Sequence, residues 1–294
     1  MDELFYSPLG VLILARSIIE VSGVPSAMLW TENLGLYPAE DTASCLQALS
    51  LRVPGKGYFD QLSPERLSEL IVQGEQNLTP YHDGYQQQTD VLLASGISLK
   101  PFAAHLLEAD GTATWFTDLD RKRQEWISSK GLPPHVSSFH PDLRCYGAGI
   151  TKPRQTLWTS TSLSEHSSGW LHYLRWGEDR REPPYHRWRL EVLPSARVYE
   201  IHGPQAWQSL CLAYPAPSCM AYSICRSDAL IEPDWQAVSQ DWDGVHLSAG
   251  GLLTTERVRW GTPGTQTHLF GWSVESTAWF RWVFSSVERL PDVS

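Results

Sequence analysis

The sequence has little cysteine and no recognisable metal motif. Its 294 residues include five cysteines and no CxxC pair; they are Cys45, Cys145, Cys211, Cys219 and Cys225. An odd number without paired spacing argues against a disulfide framework, so we expect a reducing, cytoplasmic environment. HExxH and paired-cysteine spacings are absent as well, and we therefore expect no metal site.

Signals for export and for membrane insertion are also missing. The start, Met1-Asp2-Glu3, is acidic, whereas a signal peptide begins with a positive segment. The apolar run from Leu9 to Val21 is interrupted by polar residues, among them Arg16 and Glu20. Such a run is too short and too polar to span a bilayer. We predict a buried helix there and no membrane partner.

Phosphate-binding loops and excess positive charge are lacking too. Neither GxxxxGK[ST] nor a GxGxxG after a strand occurs, which argues against P-loop and Rossmann nucleotide sites. The formal net charge of −10 disfavours nonspecific binding to nucleic acid, although it does not exclude a local basic patch. We interpret one arginine-rich stretch, which acidic residues interrupt, as a solvated face; it contains Arg175, Arg180, Arg181, Arg187 and Arg189.

What is present is enough apolar sequence to form a core, with 42% hydrophobic and 19% charged residues. Residues 1–132 have the pattern of a helical region. Helix-start signals, apolar residues at helical spacing and a stop at Lys130-Gly131 support this region. The predicted helices are Leu9–Val21, one opening at Ser63-Pro64-Glu65, Gln86–Ala94 and Trp115–Ser129.

From residue 133 to 294 the pattern changes to short strands alternating with short helices. This indicates a compact α+β domain with a mainly antiparallel sheet. Predicted strands are Thr156–Ser162, Arg187–Val192, Val198–Ile201, Val245–Ser248 and Thr277–Phe284. Predicted helices are Trp170–Trp176, Pro204–Ala213 and one opening at Pro233-Asp234.

Two segments of this domain are candidates for chemistry. Glu275 stands at the entrance of an apolar strand, and by parity it shares a face with Thr277 and Trp279. A carboxylate there must be exposed at the strand end, paired or functional, because burying it unpaired is costly. In the hydroxyl-rich run, Ser160 and Ser162 share a face with Trp158, opposite Thr159 and Thr161. Hydroxyls beside an indole suit a polar ligand with a ring; the candidates are therefore Trp158, Ser160, Ser162 and Glu275.

The order of Thr159-Ser160-Thr161-Ser162 and Glu275-Ser276-Thr277-Ala278-Trp279-Phe280 resembles the ADP-ribosyltransferase fold over residues 136 to 285. The resemblance implies a toxin-like bacterial transferase or glycohydrolase that uses NAD as its substrate. It implies that Glu275 stabilises the oxocarbenium-like ribose. Ser160 would brace Glu275 or contact the nicotinamide ribose, with Ser162 beside it.

The resemblance also implies a cation on the first strand that holds the pyrophosphate or the adenosine ribose. Arg144 is the first choice and His140 the second. Arg144 lies only 16 residues before Ser160, less than the family's usual spacing, so His105 and His135 stay open for that role. Trp158 or Tyr146 would stack on nicotinamide. The acceptor of ADP-ribose is open.

Two other functions compete with this interpretation. The 14 tryptophans would suit a non-enzymatic module that binds a ligand or protein in a Trp-lined cleft. A hydrolase around Asp243 and His246 is the other, although the GxSxG nucleophile motif is missing. A cleft joining Arg144, Ser160 and Glu275 would favour the transferase alone.

Overall fold

The computed structural model describes residues 4, 7–22, 56–78, 85–128, 131–143, 151–153, 155–177, 181–216 and 230–294. The chain divides into two compact units, Met1–Trp115 and Phe116–Ser294. The boundary between the two units lies earlier in the chain than the predicted boundary at 132/133. In the described part of the chain, no helix combines the length and the apolar character needed to cross a membrane.

The first unit is helical. Its helices are α1 (Pro8–Ser22), α2 (Pro64–Asn77) and α3 (Tyr85–Leu107), with short 3-10 turns at Lys56–Gln61 and Asp110–Thr112. The helix α1 confirms the predicted Leu9–Val21 within one residue at each end, and the Ser63 hydroxyl caps α2 by accepting the backbone N–H of Arg66 at 3.2 Å. The third helix is longer than the predicted Gln86–Ala94.

The second unit is a mixed α+β structure with a mainly antiparallel sheet, as predicted. Its strands are β1 (Gln124–Ser128), β2 (Leu157–Ser164), β3 (Ser167–Ser168), β4 (His186–Val192), β5 (Val198–Ile201), β6 (Gly244–Leu247), β7 (Arg259–Trp260), β8 (Thr267–His268), β9 (Ser276–Trp279) and β10 (Phe284–Arg289). Its helices are α4 (Gly169–Trp176), α5 (Pro204–Ala213), α6 (Trp235–Asp241) and α7 (Ala249–Thr255).

The main sheet has the strand order β10-β4-β1-β2-β9-β6-β5, with β3 paired to β2. Every neighbouring pair is antiparallel except β5 and β6, which are parallel. β7 and β8 form a separate two-stranded sheet. The strand β2, which carries the hydroxyl run, therefore lies at the centre between β1 and β9.

The predicted helix Trp115–Ser129 is wrong, because residues 124–128 form the strand β1. This strand pairs with β2 on one side and with β4 on the other. Its apolar residues fit a helical stripe, but Trp126 also alternates with Glu125 and Ile127 as a strand requires. Backbone pairing with two strands that are distant in the sequence favours the two-residue period of a strand over the 3.6-residue period of a helix.

The predicted strand Thr277–Phe284 is also corrected. It comprises β9 and the first residue of β10, and the residues between them form a turn. The two strands are far apart in the sheet order, since β9 lies beside β2 and β10 lies beside β4. The other predicted strands and helices of this unit are confirmed within one or two residues.

The two faces of the sheet differ in character. One face carries an apolar cluster that includes Leu157, Trp188, Leu190 and Trp279. On the other face Arg187, predicted to be solvated, is fully buried and forms an ion pair with Glu125 at 2.7 Å. The hydroxyls of two serines also donate to the Glu125 carboxylate; they belong to Ser162 and Ser168.

Candidate functional site

Glu275 lies at the end of a tight turn that leads into β9. The turn contains two left-handed residues, Gly271 with φ 88° and Ser273 with φ 64°. Because β9 begins at Ser276, the Glu275 side chain extends beside β2. Its carboxylate accepts the backbone N–H of Thr161 at 3.0 Å and the Thr161 hydroxyl at 2.9 Å. Thr161 therefore holds both carboxylate oxygens.

A third donor to Glu275 comes from the next strand. His246 on β6 donates from Nε2 to Oε1 of Glu275 at 3.1 Å, and from Nδ1 to Oε2 of Glu200 at 2.5 Å. Glu200 lies on β5 directly opposite His246 in the parallel register, and its Oε1 accepts the backbone N–H of Leu119 at 3.2 Å. An imidazole ring thus joins two carboxylates across three strands.

The charge on His246 follows from these neighbours. Burial would lower the pKa of His246, but the hydrogen bonds and charges of Glu200 and Glu275 outweigh burial and raise it to about 9. The ring is therefore an imidazolium at neutral pH and donates from both nitrogens. Only 4% of the His246 side chain is exposed, against 16% for Glu275. Of the two side chains, that of Glu275 is therefore the more accessible.

The Thr161 hydroxyl is itself oriented by β1. Gln124 donates from Nε2 to Oγ1 of Thr161 at 3.1 Å, and its Oε1 accepts the hydroxyl of Thr159 at 2.6 Å. Because Thr161 Oγ1 accepts from Gln124, its proton is directed to Glu275. We call the five side chains Gln124, Thr161, Glu200, His246 and Glu275 the carboxylate cluster.

Ser160 does not contact the Glu275 carboxylate. Strand alternation places Ser160 on the opposite face, where its fully buried hydroxyl accepts the backbone N–H of Trp170 at 3.0 Å. Ser162 is on that face too, bound to Glu125 at 2.9 Å. Trp158 packs there edge-on against Trp272, with ring centroids 5.0 Å apart. These three side chains therefore surround the base of α4 and not the carboxylate cluster.

None of the predicted cations among the described residues is bonded to Glu275. Arg144 and Tyr146 lie outside the described part of the chain. His140 is exposed in the segment after β1, and His135 nearby is exposed with Nδ1 bonded to Ser137. His105 belongs to the helical unit.

The sequence did not single out three members of the carboxylate cluster: Thr161, which binds Glu275; Gln124, which binds Thr161; and Glu200, which binds His246. The sequence suggested His246 as a candidate, but together with Asp243. Asp243 instead pairs with Arg281 at 2.6 Å. Strand alternation showed that Thr161 and Ser160 lie on opposite faces of the strand. Nothing local to either segment shows which of the two faces is the one that carries Glu275.

One further group has the spacing of a metal site. Ligand-type atoms of Asp118, Glu200 and His202 lie within 4.8 Å of one another. Nε2 of His202 is 2.9 Å from Asp118, and Nδ1 is 3.1 Å from the Ser248 hydroxyl. These three side chains are the ones that would hold a cation among the described residues, but Glu200 is already engaged by His246 and Leu119.

Comparison of the chain with protein-family models, with curated proteins and with solved structures found no match to any of them.

Proposed function

We propose that this protein cleaves the nicotinamide–ribose bond of NAD, as an ADP-ribosyltransferase or as an NAD glycohydrolase. The observation that supports the proposal is the Glu275 carboxylate, which accepts hydrogen bonds from Thr161 and His246 while the side chain stays 16% exposed. A fixed anion of this kind suits a reaction in which positive charge develops on a ribose ring.

The proposed step needs no redox partner. The bond between ribose C1′ and the pyridinium nitrogen breaks, and both electrons stay with nitrogen, so nicotinamide leaves neutral. The ribose becomes oxocarbenium-like, and the Glu275 carboxylate stabilises that positive charge. Water or an acceptor nucleophile then attacks C1′ and loses a proton to solvent.

The other cluster members act by holding Glu275. The imidazolium of His246 and the hydroxyl of Thr161 both donate to Oε1 of Glu275, and the backbone N–H of Thr161 donates to Oε2. The anion therefore does not have to reorganise as charge develops. Glu200 keeps His246 protonated, and Gln124 orients Thr161. These four are positioning residues, because none of them is proposed to touch the reacting bond.

The test is release of nicotinamide from NAD by purified protein. Wild type is expected to release nicotinamide, and Glu275→Gln should reduce the rate at least about 100-fold, since one well-placed electrostatic contact contributes that much. Glu288→Gln is the matched control, because Glu288 is an exposed glutamate on β10. Its carboxylate oxygen lies 3.5 Å from the Arg189 guanidinium and is not part of the carboxylate cluster. Absence of release by wild type would leave the Trp-rich binding module as the better explanation.

A further inference from the structure

Three side chains with metal-binding groups meet beside the carboxylate cluster, at the end of β5. They are Asp118, Glu200 and His202, and one ligand-type atom of each lies within 4.8 Å of the others. The set combines an imidazole nitrogen with two carboxylates. It therefore suits a first-row transition metal better than Mg²⁺ or Ca²⁺, which prefer oxygen ligands. We infer that these three side chains bind a divalent transition-metal ion such as Zn²⁺.

The backbone brings the three ligands together. Glu200 lies on β5 and His202 directly follows that strand, two residues further, which is the spacing of side chains on one face. Asp118 comes from the segment before β1, where the backbone N–H of Leu119 donates to Oε1 of Glu200 at 3.2 Å. The Leu119 side chain is buried in the apolar cluster. These contacts hold the Asp118 segment beside β5, so ligands that are distant in the sequence are already close in space.

Ser248 fixes the tautomer of the His202 ring. The Ser248 hydroxyl is buried, accepts the backbone N–H of Gly251 at 3.0 Å and donates to the carbonyl of Ile201 at 3.3 Å. Because its proton is used in this way, the hydroxyl accepts from Nδ1 of His202 at 3.1 Å. A neutral His202 ring therefore carries its lone pair on Nε2. Histidines that bind metals usually donate their other ring N–H to an acceptor of this kind.

This nitrogen and the nearest carboxylate have the spacing of two neighbouring metal ligands. Nε2 of His202 lies 2.9 Å from Oδ1 of Asp118. Two ligands that bind one ion at about 2.0–2.2 Å and roughly 90–110° to each other are about 2.8–3.5 Å apart. With a neutral ring, both atoms offer lone pairs to each other, so a cation between them is needed, either a proton or a metal ion. A proton would use these two atoms alone, whereas a metal ion also uses the third donor, Glu200.

Glu200 can supply this third ligand while it keeps its present contacts. Its Oε2 is bonded to His246, and its Oε1 accepts one N–H, from Leu119. A carboxylate oxygen has two acceptor positions, so Oε1 retains one for an ion. A movement of about 1.5 Å closes the remaining separation, and Asp118 can make it because 82% of its side chain is exposed. Three protein ligands leave the ion at least one position for water or another oxygen ligand.

The experiment is titration of the full chain with Co²⁺, a coloured substitute for Zn²⁺, followed by calorimetry and absorption. Wild type should bind one equivalent, and its thermal unfolding midpoint should rise with Co²⁺. Asp118→Asn and His202→Gln should each weaken binding at least about tenfold, and metal-free Asp118→Asn should unfold at the wild-type midpoint. Asp292→Asn is the matched control, because Asp292 also pairs with a histidine, His186, at 3.0 Å, but with Arg289 beside them instead of a second carboxylate. It should bind Co²⁺ as wild type does.

Three outcomes would overturn the inference. The first is a wild type that binds no Co²⁺ at about 1 mM, where a site of millimolar affinity would be half filled. The second is an intense near-ultraviolet charge-transfer band, because the ligands would then be cysteine thiolates. The third is Co²⁺ affinity that Asp118→Asn and His202→Gln leave unchanged, or that Asp292→Asn lowers equally. Metal binding is measured without NAD, so its result and that of the nicotinamide assay do not decide each other.

Discussion

Neighbouring residues on β2 have different tasks because successive side chains of a strand point to opposite faces. Thr161 donates to Glu275 on one face, and Ser160 accepts from the backbone N–H of Trp170 on the other. A hydroxyl run that looks uniform in the sequence is therefore split between the candidate site and the start of α4.

This division predicts opposite effects of two substitutions. Thr161→Val removes the hydroxyl donor to Glu275 and should lower nicotinamide release about 10-fold, with the unfolding free energy changed by about 1 kcal/mol or less. Ser160→Ala leaves the backbone N–H of Trp170 without its acceptor and should cost roughly 1 kcal/mol of unfolding free energy with the rate unchanged. Rate assays and urea unfolding measure both; the reverse pattern would place Ser160 in the site.

His246 predicts a pH dependence of stability. Its pKa is about 9 when folded and 6.5 ordinarily, so its stabilising contribution is complete below pH 6.5 and is lost as pH rises through 9. The difference corresponds to roughly 3 kcal/mol. The gap in unfolding free energy between wild type and His246→Gln should narrow by that amount between pH 6 and pH 10. A constant gap, or an NMR titration midpoint near 6.5, would contradict the arrangement.

At the scale of elements, the buried ion pair ties β1 to β4. Arg187 on β4 donates from Nε and an NH₂ group to both oxygens of Glu125 on β1, at 2.8 and 2.7 Å, and both side chains are fully buried. Removing one partner of such a pair leaves an uncompensated buried charge.

Arg187→Met should therefore lower the unfolding free energy by about 3–5 kcal/mol. Arg189→Met is its control, two residues along the same face of β4, because the Arg189 side chain is 41% exposed; it should cost less than about 1 kcal/mol. Denaturant unfolding compares the two. Equal losses of unfolding free energy in the two variants would contradict a special contribution of the buried ion pair.

Most elements were predictable from local sequence because their signals are local. Ser63 before Pro64 identifies the start of α2, and Pro204 that of α5. β1 was not predictable in this way, since Trp126 and Ile127 fit a helix and a strand equally. Its pairing partners on β4 lie about 60 residues away, and no local pattern encodes them.

At the scale of the molecule, the candidate site depends on register. The pairing of Thr159 with Thr277 places Thr161 beside Glu275, and the parallel pairing of β5 with β6 places Glu200 beside His246. The sequence identified Glu275 and the strand that holds it. It did not identify the parity of that strand or the partners on other strands, because these are properties of the assembled sheet.

The position of β1 predicts where the chain can be divided. A fragment of residues 116–294 keeps β1 between β4 and β2, so it should unfold cooperatively when followed by circular dichroism. A fragment of residues 133–294 lacks β1, and β4 with β10 then loses its connection to the rest of the sheet. Cooperative unfolding of the shorter fragment would show that β1 is dispensable.

The catalytic role that we propose for Glu275 is tested by the turnover of NAD at saturation by wild type and by Glu275→Gln, with the affinity of each for NAD measured separately. We predict that kcat for nicotinamide release falls at least about 100-fold while Kd changes little, because the Glu275 carboxylate acts on charge that develops only in the transition state. Equal kcat values, or a wild type that binds NAD without releasing nicotinamide, would contradict that role.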